Sequence, residues 1–234
     1  MRMLAVVSVA ISLIAISCNS SDPSTADGNV TVESGINNPT VSSFEKSGDR
    51  PQGGTFVSSL RVARVRVLVS RMKLHSDGKP DSSDDKTFKL EPFVYVADST
   101  GSRVVATVPM PNGNYDKIKW EIHRFSSSEV PNYLNDTTFR DFVTGARYTV
   151  LIEGSLVRDG ITWPFVYRSD VTSNITIKFS PAITVSNNSP LFLSLKFDAP
   201  SVFKAGSNIL DPEDSSNRSE IENRIKAAFR ANKK

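Results

Sequence analysis

The sequence predicts an all-β fold, an antiparallel β-sandwich closed by one C-terminal amphipathic helix. Three observations carry that reading. Short runs that alternate apolar and polar residues recur along the chain, with Gly, Pro and Asn between them. Asp159-Gly160 stands between two such runs and is the strongest short-range hairpin signal. Helical periodicity with a start signal is confined to the end of the chain, and no alternation of strands and helices speaks for a doubly wound or barrel enzyme.

Composition narrows the class further. The 234 residues hold 28 Lys and Arg against 25 Asp and Glu, a formal charge of +3. So even a balance argues against a nucleic-acid partner, which calls for a clustered basic excess. Cys18 is the only cysteine. One cysteine closes no internal disulfide, so the fold must rest on its core.

At the N-terminus, Arg2 precedes an apolar run from Leu4 to Ile16, then Ser17 and Cys18. A basic start, a short apolar stretch and small residues at the exit predict a signal peptide over residues 1–17. The run falls short of the roughly 20 residues that a transmembrane helix needs. Ala15-Ile16-Ser17-Cys18 resembles the lipobox of bacterial lipoproteins, with Ala15 where that family prefers Leu. The resemblance implies acylation of Cys18 and membrane lipid as a partner. In Gram-negative lipoproteins an Asp after the acylated cysteine tends to mean inner-membrane retention; Asn19 stands there instead, which implies the outer membrane.

Residues 18–55 are rich in Ser, Asn, Asp, Gly, Pro and Thr, too polar to offset the entropy of ordering, and read as a disordered tether. Val30, Val32 and Val41 leave room for a short edge strand within it. The folded domain is expected over 56–231.

From Leu60 to Leu74 the apolar parity switches: Val65, Val67 and Val69 share one phase, Leu60, Val62, Met72 and Leu74 the other. A switch inside one long strand predicts a β-bulge or a crossing between sheets. Arg61, Arg64, Arg66 and Arg71 fit a solvated strand face better than a basic patch. Residues 75–86 read as a polar loop. Phe88 to Val96 is a strand interrupted by Pro92, hence at an edge or a bulge. Val104 to Val108 is a short strand. Ile118, Trp120 and Ile122 alternate with Lys117, Lys119, Glu121 and His123, one buried and one wet face. Residues 126–146 are irregular, with a helical turn near Asp136 to Phe142.

The hairpin at Asp159-Gly160 fixes a register. A two-residue loop pairs Arg158 with Ile161, Leu156 with Trp163, Gly154 with Phe165 and Ile152 with Tyr167. Gly154 makes room opposite Phe165. Trp163, Phe165 and Tyr167 would suit a glycan platform, but sharing a face with Ile152, Leu156 and Ile161 makes core the better reading. Ile175 to Phe179 and Leu191 to Phe197 supply two more strands. Ser219-Glu-Ile-Glu222 is a capping box opening a helix over 219–231, whose apolar face is Ile221, Ile225, Ala228 and Phe229.

Candidate chemistry is sparse, and no catalytic residue is assigned. His75 and His123 are the only histidines and neither stands at metal-ligand spacing. Asp211, Glu213, Asp214 and Asn217 offer the hard oxygens that Ca²⁺ takes, without the glycine and spacing of an EF-hand. Asx-type turns leading into the helix are the favoured alternative.

Gly113-Asn-Tyr-Asp-Lys-Ile, Glu153-Gly154 before Pro164-Phe165, and the closing Asp211-Pro-x-Asp-x-x-Asn-x-x-x-Ile-Glu-x-x-Ile resemble a group of uncharacterised bacterial envelope lipoproteins over about residues 60 to 230. The resemblance implies a transthyretin-like or Ig-like sandwich and no catalytic residues. The expectation is a non-enzymatic outer-membrane lipoprotein, a binding or structural module whose partner is an envelope protein or glycan. The alternatives are a calcium-stabilised adhesion-type module and an exported hydrolase using His123.

Overall fold

The structure, a computed structural model, describes residues 29–43, 56–76, 87–187 and 191–233. Cys18 lies outside these residues. Strands dominate, and among the described residues three larger sheets and one two-stranded sheet surround one main core.

The first two strands are β1, Val30–Asn37, and β2, Thr40–Ser42. Both lie inside the stretch expected to be an unstructured tether, so strands are present ahead of Phe56. Val30 and Val32 are buried in β1, and Asn29 secures the start through reciprocal bonds with Met110: its Nδ2 donates to the carbonyl at 2.9 Å and its Oδ1 accepts from the N–H at 2.7 Å. The short edge strand that Val30, Val32 and Val41 left room for is present as two strands, and the one at Val30–Asn37 lies inside its sheet and not at an edge.

The apolar phase switches at a bulge between Val62 and Arg64 and again at Ser70, where the chain changes sheet. β3 is Val57–Val69 and β4 is Arg71–Ser76. They belong to different sheets and are joined at Ser70, whose N–H and Oγ both donate to the Glu121 carbonyl, at 2.9 and 2.7 Å. The Pro92 interruption is a second change of sheet, between β5, Thr87–Leu90, and β6, Phe93–Asp98. β7, Arg103–Val108, and β8, Gly113–Ile122, follow. Segment 126–146 holds two short helices, α1, Val130–Tyr133, and α2, Arg140–Val143, with a 3-10 turn at Thr137–Phe139. Next come β9, Val150–Arg158, β10, Ile161–Ser169, β11, Ser173–Val185, and β12, Leu191–Asp198. A short helix α3, Ala199–Phe203, and the small strands β13, Lys204–Ala205, and β14, Asn208–Ile209, lead to α4, Arg218–Ile225, and β15, Phe229–Lys233.

The first sheet has the order β15-β12-β1-β7, the second β10-β9-β3-β2 with β6 also on β3, and the third β11-β8-β4-β5. Nearly all pairings are antiparallel. The exception is β1 on β12, parallel from Val30↔Leu191 to Asn37↔Asp198, against the expectation of a wholly antiparallel sandwich. Leu191, Leu193, Leu195 and Phe197 all face the core, as their alternation implies. Tyr95 crosses between sheets, its hydroxyl donating to the Leu195 carbonyl at 3.0 Å. A second cluster, Phe139, Phe142 and Val143 on Leu68, Val94 and Leu151, caps the outer face of the second sheet. Arg66 fastens that cap by pairing with Asp141 of α2 and, at 2.6 Å, with Glu153 of β9.

The C-terminal helix is shorter than expected and is not the only one. Instead of running over 219–231, it ends at Ile225, and Phe229–Lys233 adds a strand to β12. Phe229 thereby joins Tyr95, Trp120 and Phe197, with ring centroids 5.5 Å apart in each pair. An open sheet edge and an aromatic pocket together outweigh two more turns of helix. The capping box does not form either. Asp214 caps a preceding 3-10 turn at Ser215–Asn217, and Glu222 accepts from the Ser169 hydroxyl at 2.7 Å.

Candidate functional site

The hairpin register matches the sequence reading at every pair, from Ile161↔Arg158 to Tyr167↔Ile152. Asp159 and Gly160 have φ of 51° and 81°, the two left-handed residues of a type I′ turn. One part of the reading fails. Phe165 and Tyr167 are buried, but Ile161 and Trp163 are 58% and 48% exposed. β10 is an edge strand, and at its tip the ribbon extends past the core that a shared face was taken to imply.

Beside that tip lies the 211–217 loop. One guanidinium nitrogen of Arg158 donates to Asp211 Oδ2 at 2.6 Å and to Glu213 Oε2 at 2.9 Å. The second Asp211 oxygen accepts the Glu213 N–H at 2.9 Å. Asp214 accepts the Ser216 N–H at 2.9 Å, and the Asn217 amide donates to the Asp211 carbonyl at 3.2 Å. Desolvation would lower the Arg158 pKa, yet the two carboxylates hold it above its usual value. Ser216, through its hydroxyl and its N–H, holds the Asp214 carboxyl below the usual range. Asp211, Asp214 and Asn217 are thus brought into one loop, but as turn and cap groups around an arginine. Among the described residues no group of three or more His, Cys, Asp or Glu side chains is placed to hold a metal ion.

The histidines stand apart from each other. His75 belongs to β4 and is buried, not part of the polar loop expected from residue 75 onward. His123 Nδ1 lies 3.2 Å from the Arg124 carbonyl oxygen.

An open cleft of about 440 Å³ lies where the edges of the first two sheets splay apart. β6 and β7 form its walls, with Phe93, Val96 and Val104 exposing apolar surface. Arg64, Arg103 and the Thr137–Thr138 turn form the rim. Arg64 is 3.6 Å from Asp98. Walls with this mixture suit an amphipathic occupant held by contact and a few polar bonds. Sequence reasoning missed the cleft, because its walls come from strands whose partnering is long-range.

Fold and site together define a mostly-β chain with an open cleft between sheet edges. No helix among the described residues is long and apolar enough to cross a membrane. Comparison with protein-family models, with curated proteins and with solved structures found no match.

Proposed function

We propose that this chain is a non-enzymatic, lipid-anchored lipoprotein of the Gram-negative outer membrane, whose transthyretin-like sandwich serves as a binding module of the envelope. The observation that carries the reading is Cys18. It is the sole cysteine and stands at the exit of an apolar segment with a basic start. The 440 Å³ cleft supports a binding role over a purely structural one. Asn29, the first described residue, is 11 residues beyond Cys18 (29 minus 18). Eleven residues span at most about 40 Å when fully extended, so the anchor holds the domain close to the headgroups. Two or more acyl chains give stable attachment, where one would be marginal.

The test compares wild type with Cys18→Ala in a Gram-negative host by metabolic palmitate labelling and membrane fractionation. Loss of both label and membrane association in the variant is the expected result. A wild-type chain that takes no label overturns the anchor.

A further inference from the structure

The cleft between the first two sheets follows an open strand edge. Arg103, Val104 and Val105 line it together. Successive side chains of a strand point to opposite faces, so three consecutive residues meet one cleft only where it runs along the backbone edge. Among the described residues β7 has a strand partner, β1, on one side alone. β6 and β7 are tied at Asp98↔Gly101 and belong to different sheets beyond it. Near the tie, the Ser34 hydroxyl donates to the Val96 carbonyl of β6 and lies 3.3 Å from that of Arg103.

Proteins blunt their exposed sheet edges with proline, lysine or shortness, or by covering them. At the ends of the three larger sheets, β10 contains Pro164 and β11 contains Pro181, while β15 carries Arg230 and Lys233. β2 and β5 have only three and four residues. β7 has six, and Val104, Val105, Thr107 and Val108 are β-branched. Apart from Arg103 at its first position, it carries none of these devices.

Unmatched donors line the same space. Asp98 is 3.6 Å from Arg64, Asp141 and Glu153 are held by Arg66, and Asp136 Oδ1 accepts the Thr138 N–H at 2.8 Å. The Nε atoms of Arg64 and Arg66 are buried without a hydrogen-bond acceptor. Arg103 is exposed, and its guanidinium has no partner among the described residues. An extended peptide supplies carbonyls at the spacing of the strand ladder, and one carboxylate would complete Arg103.

We propose that the cleft takes an extended segment of a partner protein, added as a strand on the free edge of β7 with an acidic side chain on Arg103. This names the occupant of the cleft and rests on the binding-module reading above. Main-chain bonds to the edge give such a complex its affinity, and the walls select the side chains. A strand within a second folded copy would bring its neighbours along. The far side of the cleft is closed by β6 and the Thr137–Phe139 turn, which favours a single strand.

The probe is the peptide acetyl-Thr-Val-Glu-Val-Thr-Val-amide carrying a neutral dye. Its binding to the full chain with Cys18→Ser is read by fluorescence anisotropy. Two further copies are N-methylated on alternate residues in complementary sets, and another has Lys in place of Glu. An added strand bonds to the edge through alternate residues, so one methylated set should abolish binding and the other should retain it. Arg103→Glu should weaken the Glu peptide roughly tenfold, and the Lys peptide should regain that loss on the variant. Circular dichroism checks that the variant folds; if it does not, the two methylated sets on the parent chain decide. No binding up to about millimolar peptide, the same result with both methylated sets, or an undiminished affinity in folded Arg103→Glu would overturn the proposal. So would a concentration-dependent dimer that protects the β7 amides from hydrogen exchange without peptide, since it gives the edge to a second copy. Palmitate labelling of Cys18 reports on the anchor independently, so failure of one reading is distinguishable from failure of the other.

Discussion

Gly154 and Phe165 face each other so closely across the β9–β10 ribbon that a Cβ on Gly154 would stand 2.8 Å from Phe165 Cε1 and 2.1 Å from the Arg61 carbonyl oxygen. The second contact is the harder one, because it is with the backbone of the neighbouring strand β3. Gly154→Ala should therefore destabilise the fold by about 2–4 kcal/mol, at or above the upper range for overpacking. Denaturant midpoints measure it. A variant within about 0.5 kcal/mol of wild type would mean that β3 and β9 separate easily at the bulge where Gly154 pairs with Val62.

Arg158 joins the hairpin to the 211–217 loop. Arg158→Ala leaves Asp211, 8% exposed, without its cation and should cost about 1–3 kcal/mol. Asp211→Asn in the same background should recover part of that loss, because it removes the charge that was left unpaired. Urea melts of the two variants and their combination check both statements.

Calcium addresses the same loop from another side. With both Asp211 oxygens engaged by Arg158 and the Glu213 N–H, millimolar calcium should leave the melting temperature unchanged. A rise in wild type that disappears in Asp211→Ala would restore the calcium-stabilised reading.

Alkaline pH should unfold the protein. Burial first, and then the Glu222 charge, push the Tyr167 hydroxyl up to about 12, and burial pushes that of Tyr95 up as well. A tyrosine that ionises near 10 when unfolded and later when folded contributes its full stability below pH 10. That contribution is lost as pH rises through the folded value, because the unfolded state gives up the proton first. Stability measured between pH 9 and 12 should fall, and Tyr167→Phe should flatten the slope.

Phe229 should behave as a core residue and not as the end of a helix. Its ring meets those of Tyr95, Trp120 and Phe197, so Phe229→Ala should cost about 3–5 kcal/mol. A loss below about 1 kcal/mol, typical of a frayed terminus, would detach β15 from the sheet.

What the sequence made legible is what local chemistry determines. Asp159-Gly160 fixed a turn type, and the alternation on either side agreed with the register it dictates. The parity switch between Val69 and Met72 located a change of sheet for the same reason, since side-chain phase is a local property. Partner choice is not. Nothing in Val30-Thr-Val32 says that β12 and β7 will flank it, and Phe229 obeys helical spacing while residing in a strand. Trp163 has the phase of a core residue but lies beyond the core's edge, an extent that periodicity does not encode.

The parallel pairing of β1 with β12 joins Val30 to Leu191 across 161 positions (191 minus 30). A chain that emerges N-terminus first must therefore hold its opening strand unpartnered on that side until nearly all the rest has appeared. Long-range closure of this kind slows folding. The first sheet is therefore complete only once β12 and β15 are both available.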